Sequence, residues 1–190
     1  GGGTVLGGEF ESGLVSLYKR LSANGAAAHE PQTEPVISLI KQDFRVPRRD
    51  GLAPLSGYAY VEMDHNGRRT VGYTEASRGC KHLCRHCPVV PVYGGRFFVV
   101  SRGVVIEDIS QQVADGAEHI TFGDPDFFNG VGHAIRLGEE LHGQFPDLTY
   151  DVTIKVEHLL KYAHHLETLA RTEYLFVITA VESVDDWVLT

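Results

Sequence analysis

Methionine and tryptophan occur once each, at Met63 and Trp187, and cysteine only three times in 190 residues. So few cysteines, and an odd number of them, exclude the disulfide framework that holds many small secreted domains together. Apolar runs are short as well. None approaches the ~18 uncharged apolar residues of a membrane span, and the N-terminal region lacks the basic-then-apolar order of a signal peptide. Basic residues are outnumbered, 17 Lys and Arg against 25 Asp and Glu, for a formal net charge of −8. That balance argues against non-specific nucleic-acid binding. At 43% hydrophobic and 22% charged residues, the composition excludes intrinsic disorder and collagen-like repetition. The expectation is a soluble, cytoplasmic chain of one domain, with or without a short arm. It opens Gly1-Gly2-Gly3 without an initiator methionine and stops at Leu189-Thr190 inside what reads as a starting helix. A fragment of a longer protein is therefore expected.

Local pattern divides the chain. Phe10, Leu14, Leu17, Tyr18 and Leu21 recur at helical spacing, and residues 26–35 form a small-residue, proline-bounded linker. Arg45, Arg48 and Arg49 make a basic patch that reads as a solvated loop. Residues 1–57 are thus expected as an arm of helix, linker and loop, and 58–190 as the core. Two strand-like runs, 58–63 and 69–74, flank Asn66-Gly67, a hairpin turn signal. Beyond Val100 strands and helices alternate: a helix over 105–114, a strand over 118–122, a helix over 131–145 with Asn129 as candidate cap, a strand over 149–155, a helix over 157–171 and a strand over 174–181. Four strands, each leading towards a helix, predict an α/β fold with a parallel sheet, open or rolled into a partial barrel of about four βα units.

In such folds ligand-bearing residues gather at the carboxyl ends of the strands. Those ends carry Cys80 to Cys87, then Gly123 to Asp126, then Lys155 and Glu157, then Glu182 and Ser183. The strand over 149–155 adds a hint, because Thr149, Asp151, Thr153 and Lys155 alternate with apolar residues where a fully covered strand is apolar throughout. Either the polar face looks into a wet lumen or the strand lies at an edge with one face in water.

All three cysteines fall within Cys80-Lys-His-Leu-Cys84-Arg-His-Cys87. Three thiolates at this spacing can converge on one metal centre, and an iron–sulfur cubane held by three cysteines keeps one iron free of protein ligand. Two plainer readings stand beside it. One is a structural zinc with His82, His86 or another histidine as fourth ligand, although no second cysteine pair is present. The other is a dithiol, Cys84-Arg-His-Cys87, which leaves Cys80 without a role.

Cys80-x3-Cys84-x2-Cys87 after a first strand, preceded by Glu75-Ala-Ser-Arg-Gly79 and followed by βα repeats, resembles the signature of radical S-adenosylmethionine enzymes. The resemblance runs from about Val71 to Thr190. It implies a [4Fe–4S] cluster on Cys80, Cys84 and Cys87, with S-adenosylmethionine chelating the fourth iron. It also implies reductive cleavage of that cofactor to a 5′-deoxyadenosyl radical, which abstracts hydrogen from a substrate the sequence does not identify. A low-potential electron donor such as flavodoxin or ferredoxin is implied as partner. Carried over residue by residue, His86 stands where an aromatic residue packs near the adenine. Gly123-Asp124-Pro125-Asp126 replaces the family's Gly-Gly-Glu run for the cofactor's amino group, with Asp124 or Asp126 as the carboxylate. Glu182-Ser183-x-Asp185 resembles a Glu-Ser-Gly-x-Asp run with Val184 in place of glycine, and Glu157 completes the cofactor-binding set.

Each of these residues also has a structural alternative, since Asp, Ser and Glu are common turn, cap and first-turn residues. Cys-Arg-His-Cys-Pro-Val and Gly-Asp-Pro-Asp-Phe-Phe-Asn further resemble a subgroup named for a C-terminal Cys/Sec-Cys-Ala-Glu-Pro tail. The residues before the cysteine loop are too few for a cobalamin-binding Rossmann domain, so cobalamin dependence is not expected within this chain. In the resembled family the core usually has more βα units than this, and the fragment alone is expected to be incompetent in turnover.

Overall fold

A computed structural model describes residues 5–24, 36–64, 67–181, 183–185 and 187. The linker expected over 26–35, Asn66 of the turn signal and Glu182 lie outside the described residues. Two compact units emerge, one of residues 1–43 with 79–96 and one of 44–78 with 97–190. The cysteine loop thus groups with the N-terminal segment.

The smaller unit opens with β1 (Leu6–Gly8), which pairs in parallel with β2 (Val36–Ser38). Gly8 has φ +71, and a Cβ there would collide with the Ser38 carbonyl, so only glycine fits this close approach of two backbones. The expected helix is present as α1 (Glu11–Asn24), but Leu14, Val15, Tyr18 and Leu21 on it are exposed. The unit closes with the cysteine loop and a short helix, α2 (Val90–Tyr93).

The larger unit is built on a hairpin. β3 (Tyr60–Met63) runs antiparallel to β4 (Gly67–Thr74), as the alternating runs predict. Short strands β5 (Ser77–Gly79) and β6 (Phe97–Val99) pair with each other on either side of the cysteine segment. Then follow α3 (Arg102–Ala114), β7 (His119–Phe122), α4 (Val131–Gln144), β8 (Thr149–Thr153), α5 (Val156–Lys161), α6 (Leu166–Ala170) and β9 (Tyr174–Ile178). The sheet order is β3-β4-β7-β8-β9, with β4, β7, β8 and β9 mutually parallel. This is the expected α/β architecture with consecutive parallel strands.

The two faces of this sheet differ in kind. Ile120, Phe122, Tyr150 and Val152 are buried with Ile109 of α3 and Ala134, Leu137 and Leu141 of α4, forming the core. Alternate positions His119, Thr121, Thr149 and Asp151 form the other, polar face, aligned by the parallel registers His119 with Thr149 and Thr121 with Asp151. Since β8 is paired on both sides, it is an interior strand, and the edge-strand reading of its alternation is excluded.

Two local expectations are corrected. Asn129 is not the cap of α4. It lies in the 3₁₀ turn Phe127–Gly130, which Asp126 caps by accepting from Phe128 N, and Gly130 precedes the helix. The helix expected over 157–171 is broken into α5, the 3₁₀ turn Ala163–His165 and α6. Tyr162 leaves helical geometry at φ −115, ψ 27, with its ring edge-on to Phe128 at 6.0 Å and tilted against His158 at 5.5 Å. Aromatic packing overrides the helical period there, and Leu160 is 76% exposed.

Candidate functional site

The cysteine loop begins at a residue that must be glycine. Gly79 has φ +75, and a Cβ there would come within 2.5 Å of both the Tyr93 ring and the Arg96 carbonyl. Cys80, Cys84 and Cys87 follow, all half-buried and none in a disulfide. Cys87 N donates to Cys84 O at 3.2 Å and Val90 N to Cys87 O at 3.3 Å, so the second half of the loop is a turn feeding α2. The helix stops at Gly94 and Gly95, with φ +55 and +83. Tyr93 anchors the unit by donating from Oη to the buried Glu9 carboxylate at 3.2 Å. His82 is half-buried and His86 exposed on the same loop.

Three thiols on one framed loop, with no other cysteine in the chain, fit a cubane cluster, which takes one thiolate per iron and here leaves one iron free.

In the larger unit the strand ends carry the remaining candidates. Asp124, just past β7, is 2% exposed. Its Oδ2 accepts from Ala76 N at 2.9 Å and its Oδ1 from Ser77 Oγ at 2.5 Å, which ties the end of β7 to the segment leaving β4. Burial pushes its carboxyl up to about 6, against the lowering effect of the Ser77 and Ala76 bonds. Gly123 faces Tyr73, whose hydroxyl and ring fill the space any Cβ would take. That phenol donates to Glu75 Oε1 at 3.2 Å, while Arg78 Nε donates to Glu75 Oε2 at 3.0 Å. Burial, with the Glu75 carboxylate beside it, pushes the Tyr73 hydroxyl up to about 12, so it stays a donor.

Asp126 is buried, caps the 3₁₀ turn through Oδ1 and lies 2.7 Å through Oδ2 from Nδ1 of the buried His158. Glu157 is exposed and accepts from Lys155 Nζ at 2.8 Å. Ser183 accepts from Asp185 N at 3.0 Å, and Asp185 from Trp187 N at 2.9 Å, a local turn of the capping kind.

Asp124 and Asp126 thus bond to the backbone and side chains around them, whereas Glu157 stands at an exposed position and Ser183 is half-buried. Sequence reasoning missed His158, Ser77, His119 and Thr121. The last two alternate with Ile120 and Phe122 as the β8 residues do, and that period marks a polar sheet face. Also missed was the role of the basic patch. Arg48 is exposed and pairs with Asp50, but Arg49 donates through Nε and Nη2 to Asp108 at 2.7 and 2.9 Å and through Nη2 to Tyr73 O at 2.9 Å. Arg49, Leu52, Leu55, Tyr58, Tyr73 and Thr121 are among the residues lining a cavity of about 870 Å³.

No helix among the described residues is long and apolar enough to cross a membrane. No protein-family model and no curated protein matches the chain. Solved structures that share its fold include two of the radical S-adenosylmethionine methyltransferase TsrM from Kitasatospora setae. One has cobalamin and a [4Fe–4S] cluster bound, with a TM-score of 0.52 and 21% identity over 64% of this chain and 22% of that chain. The other has tryptophan substrate and the S-adenosylmethionine analogue aza-SAM bound, with a TM-score of 0.51 and 21% identity over 63% of this chain and 23% of that one. The chain spans less than a quarter of either. The five-stranded sheet and its helices are accordingly a partial βα barrel of the kind those enzymes contain.

Proposed function

We propose that this chain is the cluster-bearing part of a radical S-adenosylmethionine enzyme. Cys80, Cys84 and Cys87 hold a [4Fe–4S] cluster, and residues after the parallel strands supply groups for S-adenosylmethionine. When bound, the pair supplies an electron from the cluster to the sulfonium and hence the 5′-deoxyadenosyl radical for hydrogen abstraction. The chain's own residues do the positioning. Gly79, Gly94 and Gly95 set the path of the loop, and exposed His86 offers an imidazole face to an adenine. Asp124 fixes the backbone at Gly123, and Asp126 fixes the turn after it and the His158 ring. Glu157, Glu182 and Ser183 complete the proposed cofactor contacts. A low-potential one-electron donor is the proposed partner. Membership of the Cys/Sec-Cys-Ala-Glu-Pro-tailed subgroup is part of the proposal only through the wording around Cys87 and Asp124.

The observation that carries this reading is the set of three cysteines, none in a disulfide, on one glycine-framed loop in a chain with this fold. Anaerobic reconstitution with iron and sulfide tests it. A brown protein with about four irons per chain, colourless once Cys84→Ala is introduced, is the expected result. A colourless preparation that takes up one zinc and ignores S-adenosylmethionine refutes it.

A further inference from the structure

Beneath the strand ends, the polar face of the sheet carries a network that holding the cofactor does not use. His119 Nε2 lies 2.7 Å from Asp151 Oδ1, and Thr121 Oγ1 donates to the same oxygen at 2.6 Å. His119 Nδ1 lies 2.7 Å from Thr149 Oγ1, which Arg69 Nη1 also approaches as donor at 3.0 Å. An ionised carboxylate only accepts, so the proton on the His119 ring is assigned to Nε2, and the ring is aimed by Asp151 and Thr149 together.

His119 is 0% and Asp151 2% exposed. Both donors fall on Oδ1. No described residue bonds to Oδ2. Arg69, which reaches the same network, is turned to Thr149 and the Asp147 carbonyl. A buried carboxylate with one oxygen lacking a donor is costly unless something that donates, and best a cation, meets it. The surroundings limit the rest of such a ligand. Phe176 stacks on His119 with ring centres 6.0 Å apart, and Phe176, Ile178 and Tyr73 expose apolar surface along the same face.

We propose that Asp151 anchors the substrate, its Oδ2 taking the protonated amine of a molecule whose apolar body lies against Phe176 and Tyr73. The proposal rests on the reading of this face as the substrate side of a radical S-adenosylmethionine barrel. His119 and Thr121 are positioning residues, fixing the carboxylate through Oδ1.

The test uses the anaerobically reconstituted chain labelled with [¹³C]aspartate and probed with cyclohexylamine, cyclohexanol and cyclohexanecarboxylate. Cyclohexylamine is expected to bind and to shift the Asp151 carboxyl carbon, and the other two are not. Asp151→Asn, which keeps the acceptor for His119 and Thr121, is expected to weaken amine binding about tenfold or more. Thr121→Val, which leaves the carboxylate in place, is expected to change it by no more than about threefold. If Asp151→Asn does not fold, the carboxyl shift in wild type and in Thr121→Val decides. An amine that binds a folded Asp151→Asn equally well, or that leaves the Asp151 carbon unmoved, overturns the anchor. Iron content measured on the same samples separates the two proposals. Amine binding without cluster loading removes the radical reading and keeps the anchor, whereas loading without amine binding removes the anchor alone.

Discussion

At the scale of single residues, Asp124 and Gly123 show how the end of β7 is built from constraints that oppose one another. Asp124 holds two donors but is buried, and burial prevails, so its carboxyl rises from 3.8 to about 6. A folded-state value above the unfolded one means that stability is fully present below about pH 4 and is lost as pH rises through about 6. A shift of this size corresponds to about 1–3 kcal/mol. Asp124→Asn keeps an acceptor for Ala76 N and gains a donor for Ser77 Oγ without the buried charge. Urea denaturation is expected to find it about 1–3 kcal/mol more stable than wild type at pH 8 and equal to it at pH 4. A loss at pH 8 would mean that the charge-assisted bonds outweigh desolvation. Gly123 is required for space rather than for its backbone angle, because Tyr73 lies where a Cβ would be. Gly123→Ala is expected to cost about 1–3 kcal/mol, most of it recovered when Tyr73→Ala is added; a double variant as unstable as the single would locate the strain in the backbone.

At the scale of elements, the segment before β3 is held by chemistry rather than by hydrophobic period. Arg49 spans to α3, where Asp108 also accepts from Thr74 Oγ1 at 2.8 Å and from Gln112 Nε2 at 3.2 Å. The Asp108 side chain is 2% exposed and that of Arg49 19%. Asp108→Ala strands a nearly buried guanidinium and is expected to cost about 3–5 kcal/mol, with Asp108→Ala and Arg49→Ala together costing less than their sum. Equilibrium denaturation of the four proteins checks this; additive losses would mean that the pair does not couple. In the sequence Arg49 looked like any charge in a loop, since its partner lies 59 positions away. The parallel strands were legible for the opposite reason: Ile120 with Phe122 and Tyr150 with Val152 declare a buried face within a few residues. The helix after β8 was only half legible. Its period continues through Tyr162, and only the tertiary contact with Phe128 breaks it. Leu160→Lys is therefore expected to be neutral within about 0.5 kcal/mol, whereas Leu169→Ala, at a fully buried position, is expected to cost about 2–5 kcal/mol. A large loss at Leu160 in thermal melts would restore the single helix.

At the scale of the whole molecule, the candidate site is spread over residues with very different visibility in the sequence. The three cysteines were legible outright because one loop holds them all, and the turn at Asp124 because glycine and proline mark it. His158 and His119 were not, because their partners, Asp126 and Asp151, are brought to them by folding across 32 positions in each case. The division into units has its own consequence. All proposed cluster ligands belong to the smaller unit, together with β1, β2 and α2, whereas the buried core of Ile109, Ile120, Leu137 and Tyr150 belongs wholly to the larger one. Ligand binding stabilises whatever part of a protein must be ordered to bind, and separate cooperative units respond separately. Cluster loading is therefore expected to slow amide exchange over residues 79–96 and in β1 and β2 by about tenfold or more. It should leave β7 and β8 unchanged, since their protection comes from the core. Replacing all three cysteines by alanine should abolish the effect at the loop without altering exchange in β7 or β8. Hydrogen exchange read by mass spectrometry on matched apo and loaded samples decides the matter. Protection that rises equally in both units would show that they fold as one, and none at all over 79–96 would show that the thiols do not hold the cluster.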